Sequence, residues 1–145
     1  MPAMLDHAGV WTGRYTHISP TLEVIDSHSS RVECLFPDNG PHAYIQHNHF
    51  TWDDGREHRA TLPGTFRDGR LWWDVEAFHG SAWQSRDGEI LLHLHRRDEP
   101  GASFREIILL GGTDADGVTY RTRTWHWFKD GRLIRRTLCE ERRLA

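Results

Sequence analysis

Apolar and polar positions alternate along most of the chain, with a period of two. Runs of this kind, rich in β-branched and aromatic residues, cover Val10–Ile18, Arg31–Phe36, Ala43–Trp52, His58–Phe66, Arg70–Ala77, Glu89–Arg96, Ser103–Leu110, Val118–Phe128 and Arg132–Glu140. Each reads as a strand. The dipeptides Asn39-Gly40, Asp54-Gly55, Asp68-Gly69, Asp87-Gly88, Asp116-Gly117 and Asp130-Gly131 punctuate the runs, and all accept the positive φ of tight hairpin turns. Glu99-Pro100-Gly101 supplies one more turn, and Gly80 marks the bend or break of another strand. Only Ala3–His7 offers a helix, and a short one.

Eight to ten strands joined by hairpins form an up-and-down antiparallel meander. Such a sheet removes its edges most completely by closing, so the expected fold is all-β, one antiparallel barrel of 8–10 strands over residues 1–145 with a short N-terminal helix. A β-sandwich is the alternative, but it needs longer crossover connections than these loops offer.

Composition narrows the function classes. The 145 residues include seven Trp, eleven His, thirteen Gly and two Cys, with a net charge of −3. A chain of this length holds one core, which excludes large two-domain dehydrogenases and kinases. Basic residues crowd between Arg121 and Arg143, yet the total is acidic, so no nucleic-acid partner is expected. No stretch approaches a membrane span or a signal peptide, and a cytoplasmic location is expected. Cys34 and Cys139 are isolated and read as packing thiols. The oligomeric state stays open between monomer and homodimer.

The segment Gly9-Val10-Trp11-Thr12-Gly13, after a short helical lead-in, resembles the opening of calycin barrels, where a G-x-W sits at the closed base. Lipocalins lay a late arginine across that Trp, and Arg135, Arg136 or Arg142 would take the part. The layout as a whole, including Thr124-Trp125-His126-Trp127-Phe128 before an Arg-rich final strand, resembles the DUF3598 and CpeS-like branch of lipocalin-like proteins. The phycobilin lyases of that branch imply tetrapyrrole handling, although no chromophore-handling motif matches residue by residue. The resemblance speaks to fold more than to activity.

Strand alternation sorts the candidate chemistry. Tyr44, Gln46, Asn48, Phe50 and Trp52 share one face, and Arg121, Arg123, Trp125 and Trp127 share another. Both have the make-up of a ligand-lined lumen, apolar and aromatic with a few polar groups, and are expected to point inward. The opposing possibility is that Trp side chains fill the interior completely. Trp11, Gly13, Tyr15 and His17 follow one another toward the open end, which makes Tyr15 and His17 candidates for proton transfer. Trp73 reads as a core residue that also lines the lumen. Asp74 and Glu76 share a face that is ordinarily solvated; were it internal, Arg121 or Arg123 would be their partners and Glu76 a catalytic acid.

The expected function is binding of a small hydrophobic, aromatic, anionic molecule in the lumen. Tyr44, Gln46, Asn48, Phe50, Trp73, Arg121, Trp125 and Trp127 would line it, and Arg123 would hold the anion. The alternative is a cofactor-independent lyase, decarboxylase, isomerase or cyclase acting on an aromatic or polyketide-like substrate, with Arg123, His17, Tyr15 and Glu76 as its catalytic set. A second alternative is a cupin-like metal barrel built on the pairs His47-x-His49 and His93-x-His95. It conflicts with an inward Tyr44/Gln46/Asn48 face, which turns His47 and His49 to solvent. Haem ligation by His126 or His17 has no motif behind it. No cofactor and no metal are therefore expected. Nucleophilic catalysis finds no G-x-S-x-G, P-loop or dinucleotide fingerprint.

Overall fold

A computed structural model describes residues 2–144. A four-residue helix α1 (Pro2–Leu5) leads into β1 (Gly9–Ile18), β2 (Val24–Leu35), β3 (Tyr44–Thr51), β4 (Glu57–Arg67) and β5 (Arg70–Asp74). Then follow β6 (Phe78–Gln84), β7 (Ile90–Arg96), β8 (Ala102–Thr113), β9 (Thr119–Lys129) and β10 (Arg132–Arg143). Every strand pairs antiparallel with its neighbours in sequence, and β1 pairs with β10, so the meander closes into a ten-stranded up-and-down barrel. Closure leaves no edge strand among the described residues, although β4 meets β5 only over Gly64–Arg67.

The Asp-Gly turns fall into two kinds. At Asp68-Gly69 and Asp130-Gly131 both residues have positive φ, 53° and 74°, then 49° and 79°. That is the type I′ geometry that matches strand twist in a two-residue hairpin. At Gly55, Gly88 and Gly117 only the glycine is left-handed, and a longer turn closes on a backbone bond such as Gly55 N–H to the Trp52 carbonyl at 3.0 Å.

Three elements depart from the sequence expectation. β2 begins at Val24, well before Arg31, because the polar run Asp26-Ser27-His28-Ser29-Ser30 pairs with β1 and turns His28 and Ser30 into the interior. β5 ends at Asp74 and does not reach Ala77. The stretch Phe78–Gln84 is a strand in its own right; Gly80 sits inside it without breaking it, and a Cβ there would lie 2.2 Å from the His93 carbonyl oxygen.

The core lies at the α1 end of the barrel. Met4 of α1 packs there with Trp11, Val32, Cys34, Tyr44, Leu71, Trp73, Ala82, Ile90, Leu92 and Leu94. Trp11 is fully buried and donates its indole N–H to the His7 carbonyl at 2.9 Å. The guanidinium carbons of Arg121 and Arg143 lie 4.3 and 4.6 Å from its ring. The arginine late in the chain is thus Arg143, not Arg135, Arg136 or Arg142: β10 runs on to place Arg143 directly opposite Trp11, while Arg142 pairs with Thr12 on the outer face. Arg143 also donates to the Asp6 carbonyl, which ties the lead-in to the last strand. A second, smaller cluster of Tyr15, Trp125 and Cys139, with Phe50, Phe104 and Trp127 against it, lies further toward the opposite end.

Gly13 fixes how closely β1 and β10 approach. A Cβ at this position would lie 1.9 Å from the Glu140 carbonyl oxygen, which is backbone and cannot move aside. Gly13→Ala is expected to destabilise the barrel by about 1–3 kcal/mol. The measurement is the urea midpoint, and an unchanged midpoint would contradict this packing.

Candidate functional site

The barrel encloses a cavity of about 450 Å³ that runs from Met4 and His7 at the base to Arg96, Asp98, Trp127 and Arg135 at the opposite rim. Tyr15, His17, Tyr44, Gln46, Asn48, Phe50, Trp73, Arg121, Arg123, Trp125 and Trp127 all line it. Alternation explains this: once Trp11 faces the core, Tyr15 and His17 must follow it, and the same holds along β3 and β9. Glu76 does not belong to the cavity. Because β5 stops at Asp74, Glu76 falls in the exposed bend before β6, and Asp74 forms an ion pair with Arg97 near the rim.

The carboxylates that do meet the buried arginines are Glu106 and Glu141. Arg123 donates from Nε to Glu106 at 2.9 Å and from Nη1 to the Tyr15 hydroxyl at 2.8 Å and to Glu141 at 3.4 Å. Arg121 donates from Nε to the second oxygen of Glu141 at 2.5 Å, and Nη1 lies 3.8 Å from the Cys34 sulfur. All four charged groups are buried. Two cations facing two anions make the cluster neutral when fully ionised, which is the condition for burying charge at all. Glu106 sits on β8 beside apolar Ile107 and Ile108, and Glu141 follows two positions after the buried Cys139 on β10. For Glu106 the available signal was a lone acid beside an apolar run; for Glu141, next to Glu140 in a charged strand, there was none.

Burial pushes the Glu106 carboxyl above its ordinary range against the pull of Arg123. Burial acts on Glu141 in the same sense, but Arg123 and Arg121 together outweigh it and hold that carboxyl below its ordinary range. Burial also raises the Tyr15 phenol well above its usual value, so it stays protonated. Its oxygen accepts from Arg123, which leaves the phenolic O–H available to donate into the lumen.

One wall carries a polar row. The Tyr44 hydroxyl donates to Gln46 Oε1 at 2.8 Å, and Gln46 Nε2 donates to Asn48 Oδ1 at 2.8 Å. The direction of these bonds leaves the Asn48 amide N–H groups facing onward along the wall. Across the lumen Leu92, Leu94, Phe104 and Ile108 are apolar. The indole N–H groups of Trp73 and Trp125, both in the lining, have no hydrogen-bond partner.

The rim holds three contacts that strand alternation alone did not disclose. Arg135 stacks on Trp127 at 4.4 Å, and its Nε is buried without a partner. His28 faces His17, with their Nε2 atoms 3.4 Å apart. His17 Nδ1 lies 2.7 Å from Thr137 Oγ1, which also accepts the Trp127 indole N–H at 2.8 Å. Desolvation lowers His28, and it lowers both His17 and His7 to about 4, so these imidazoles are neutral near pH 7. By contrast His47 and His49 turn outward to Thr61 and Glu57, and His93 and His95 lie on the outer face of β7. The two H-x-H pairs therefore share no centre with the cavity, and His126 is exposed on the outside of β9.

No family model and no curated protein sequence matches the chain. Among solved structures it is similar to a protein of unknown function from the DUF3598 family of Nostoc punctiforme PCC 73102, with a TM-score of 0.75 and 21% identity. That match covers 97% of this chain and 49% of the other, so the chain spans about half its length. It is also similar to the S-type phycobiliprotein lyase CpeS from Guillardia theta, with a TM-score of 0.69 and 13% identity over 95% of this chain and 88% of that one. These likenesses show a shared fold, the closed antiparallel β-barrel. No helix among the described residues is long and apolar enough to cross a membrane.

The buried imidazoles set a pH dependence. In the unfolded chain His7 and His17 take protons near their ordinary value of 6.5, but in the folded barrel only near 4. The unfolded state therefore binds more protons across that window, and stability falls as pH drops through it. Glu141, depressed in the fold, extends the loss below; Glu106, raised, acts in the opposite sense. The urea midpoint is expected to be lower at pH 5 than at pH 7, with a smaller difference in His17→Gln. Equal midpoints at the two pH values would contradict neutral burial of these histidines.

Proposed function

We propose that the protein binds a small, flat, hydrophobic molecule bearing an anionic group in the barrel lumen. The cavity carries this reading. At about 450 Å³ it lies within the range of small-molecule sites, and it is walled by aromatic and aliphatic side chains with a few directed polar groups. Side chains can fill a small barrel completely. Here the centre is held by guanidinium and carboxylate groups that bond one another, and that arrangement favours a retained hollow.

The anion is better served at the rim than at the centre. Arg123 is already matched by Glu106 and Glu141, so a ligand carboxylate placed there meets a neutral cluster. Arg135 pairs with no carboxylate among the described residues, lines the cavity and lies over the Trp127 ring. A planar guanidinium stacked on an indole offers both a charge-assisted fork and a face for an aromatic ring. Phe50, Phe104, Trp125 and Trp127 would receive the ring system, and Asn48 and Tyr15 would supply hydrogen-bond donors to its polar edge. One structural neighbour is a phycobiliprotein lyase, which adds linear tetrapyrroles to the aromatic acids worth testing.

The second reading, a cofactor-independent catalyst in the same cavity, rests on Glu106. It is a buried carboxyl with a raised pKa in the cavity lining, next to Arg123 and Tyr15. In that scheme Glu106 or Tyr15 delivers a proton, the role that the exposed Glu76 cannot fill.

Tryptophan-fluorescence titration with a panel of aromatic carboxylates and a linear tetrapyrrole tests the binding reading. Saturable quenching is expected for at least one compound. Arg135→Ala should weaken it about tenfold or more, as loss of a charge-assisted contact does, while Arg59→Ala on the exposed outer face should leave it unchanged. Quenching by none of the panel, or equal affinity in Arg135→Ala, would contradict the assignment.

A further inference from the structure

At the rim, β1 and β2 bring three metal-binding groups together. Their register sets Asp26 opposite His17 and His28 opposite Tyr15, so all of these side chains lie on the inner face. One ligand atom from each of His17, Asp26 and His28 falls within 4.8 Å of the other two. The three sit in a part of the chain unrelated to the outward-facing H-x-H pairs.

The spacing of the two imidazoles is informative. Their Nε2 atoms face each other at 3.4 Å. A tetrahedral zinc ion bound by two histidines at about 2.0–2.1 Å holds the nitrogens about 3.3–3.4 Å apart. A right-angled octahedral pair with the same bond lengths would bring them to about 2.9 Å. The fold thus presents the edge of a tetrahedron already spaced for the ion.

Each group also has the outer partner that metal ligands carry. His17 Nδ1 is 2.7 Å from Thr137 Oγ1, and His28 Nδ1 is 3.4 Å from the Ser29 carbonyl oxygen. Both oxygens of Asp26 accept the Trp52 indole N–H, at 3.0 and 3.1 Å. Such contacts fix the ring orientation and leave Nε2 as the free ligand atom.

We propose that His17, His28 and Asp26 form a zinc site at the open end of the lumen, with the fourth tetrahedral position turned toward the cavity. His17 and His28 line the cavity, so that position is reachable by water or by an anionic group of a bound molecule. Arg135 lines the same cavity, so an anion bound there meets a second cation. The site stands on its own geometry and does not depend on which organic ligand the lumen takes.

The test uses the full chain, dialysed against a chelator and titrated with Zn(II) or Co(II) alone. One equivalent is expected to bind, with Co(II) giving the strong visible absorption of tetrahedral coordination. Asp26→Asn and His28→Gln should each weaken Zn(II) binding at least about tenfold, with circular dichroism confirming the fold. Asp26 is only half-buried, so its variant remains informative even where His28→Gln fails to fold. The double variant His47→Ala/His49→Ala should bind as the unmodified chain does. Substoichiometric Zn(II) in the unmodified chain, undiminished affinity in Asp26→Asn, or loss of the metal in His47→Ala/His49→Ala would each overturn the proposal.

Discussion

Two guanidinium groups on one strand must be neutralised inside a closed barrel, and much of the interior follows from that demand. Arg121 and Arg123 alternate with Thr122 and Thr124 on β9, so they point inward with Trp125 and Trp127. An unpaired buried charge costs several kcal/mol, and the flanking strands supply the answer. Glu141 of β10 pairs directly opposite Arg121, and Glu106 of β8 lies one step along the face from Arg123. Tyr15 completes the ring from β1. Four strands are thereby tied through one bonded cluster, and its atoms cannot spread to fill the space beside them as an aliphatic core would.

The cluster lies in the wall of the lumen. At the base, Trp11 packs against Arg121 and Arg143, with Met4 of α1 beside it. The lumen runs from there to the rim between the Tyr44–Gln46–Asn48 row and the Leu92, Leu94 and Phe104 wall. At the rim the chemistry changes again, to neutral imidazoles and to a guanidinium with no carboxylate partner. A ligand entering from the rim would meet charge first, aromatic surface next and directed hydrogen bonds last. That order suits an amphipathic planar molecule with its anion trailing.

Alternation and turn chemistry made the barrel legible before any coordinates. The Asp-Gly dipeptides marked five of the hairpins, and the faces of β3 and β9 pointed to eight of the residues that line the cavity. Pairing partners were not legible, because register is set by the whole sheet and not by any one strand. Glu106 and Glu141 lie 17 and 20 positions from the arginines they bond, the first the single acid of β8 and the second next to the exposed Glu140 in a charged strand end. Glu76 drew notice instead, since the apolar run around it hid the true end of β5 at Asp74. His28 was lost in a polar segment that resembles a loop, and its meeting with His17 depends on the β1–β2 register together with the bulge at His17/Ile18. The late arginine was displaced for a related reason, an irregularity in β10 between Leu133 and Arg135 and a strand longer than its apolar pattern.

The central claim is that Arg123 and Glu106 act as one unit that holds the lumen open. A double-mutant cycle of Arg123→Met and Glu106→Leu, read by equilibrium unfolding in urea at pH 7, tests it most directly. Each single substitution is expected to cost about 3–5 kcal/mol, because it leaves a buried charge unmatched, while the double variant recovers much of that loss. A coupling energy of about 2 kcal/mol or more would agree with the account. Effects that add to within about 0.5 kcal/mol would contradict it.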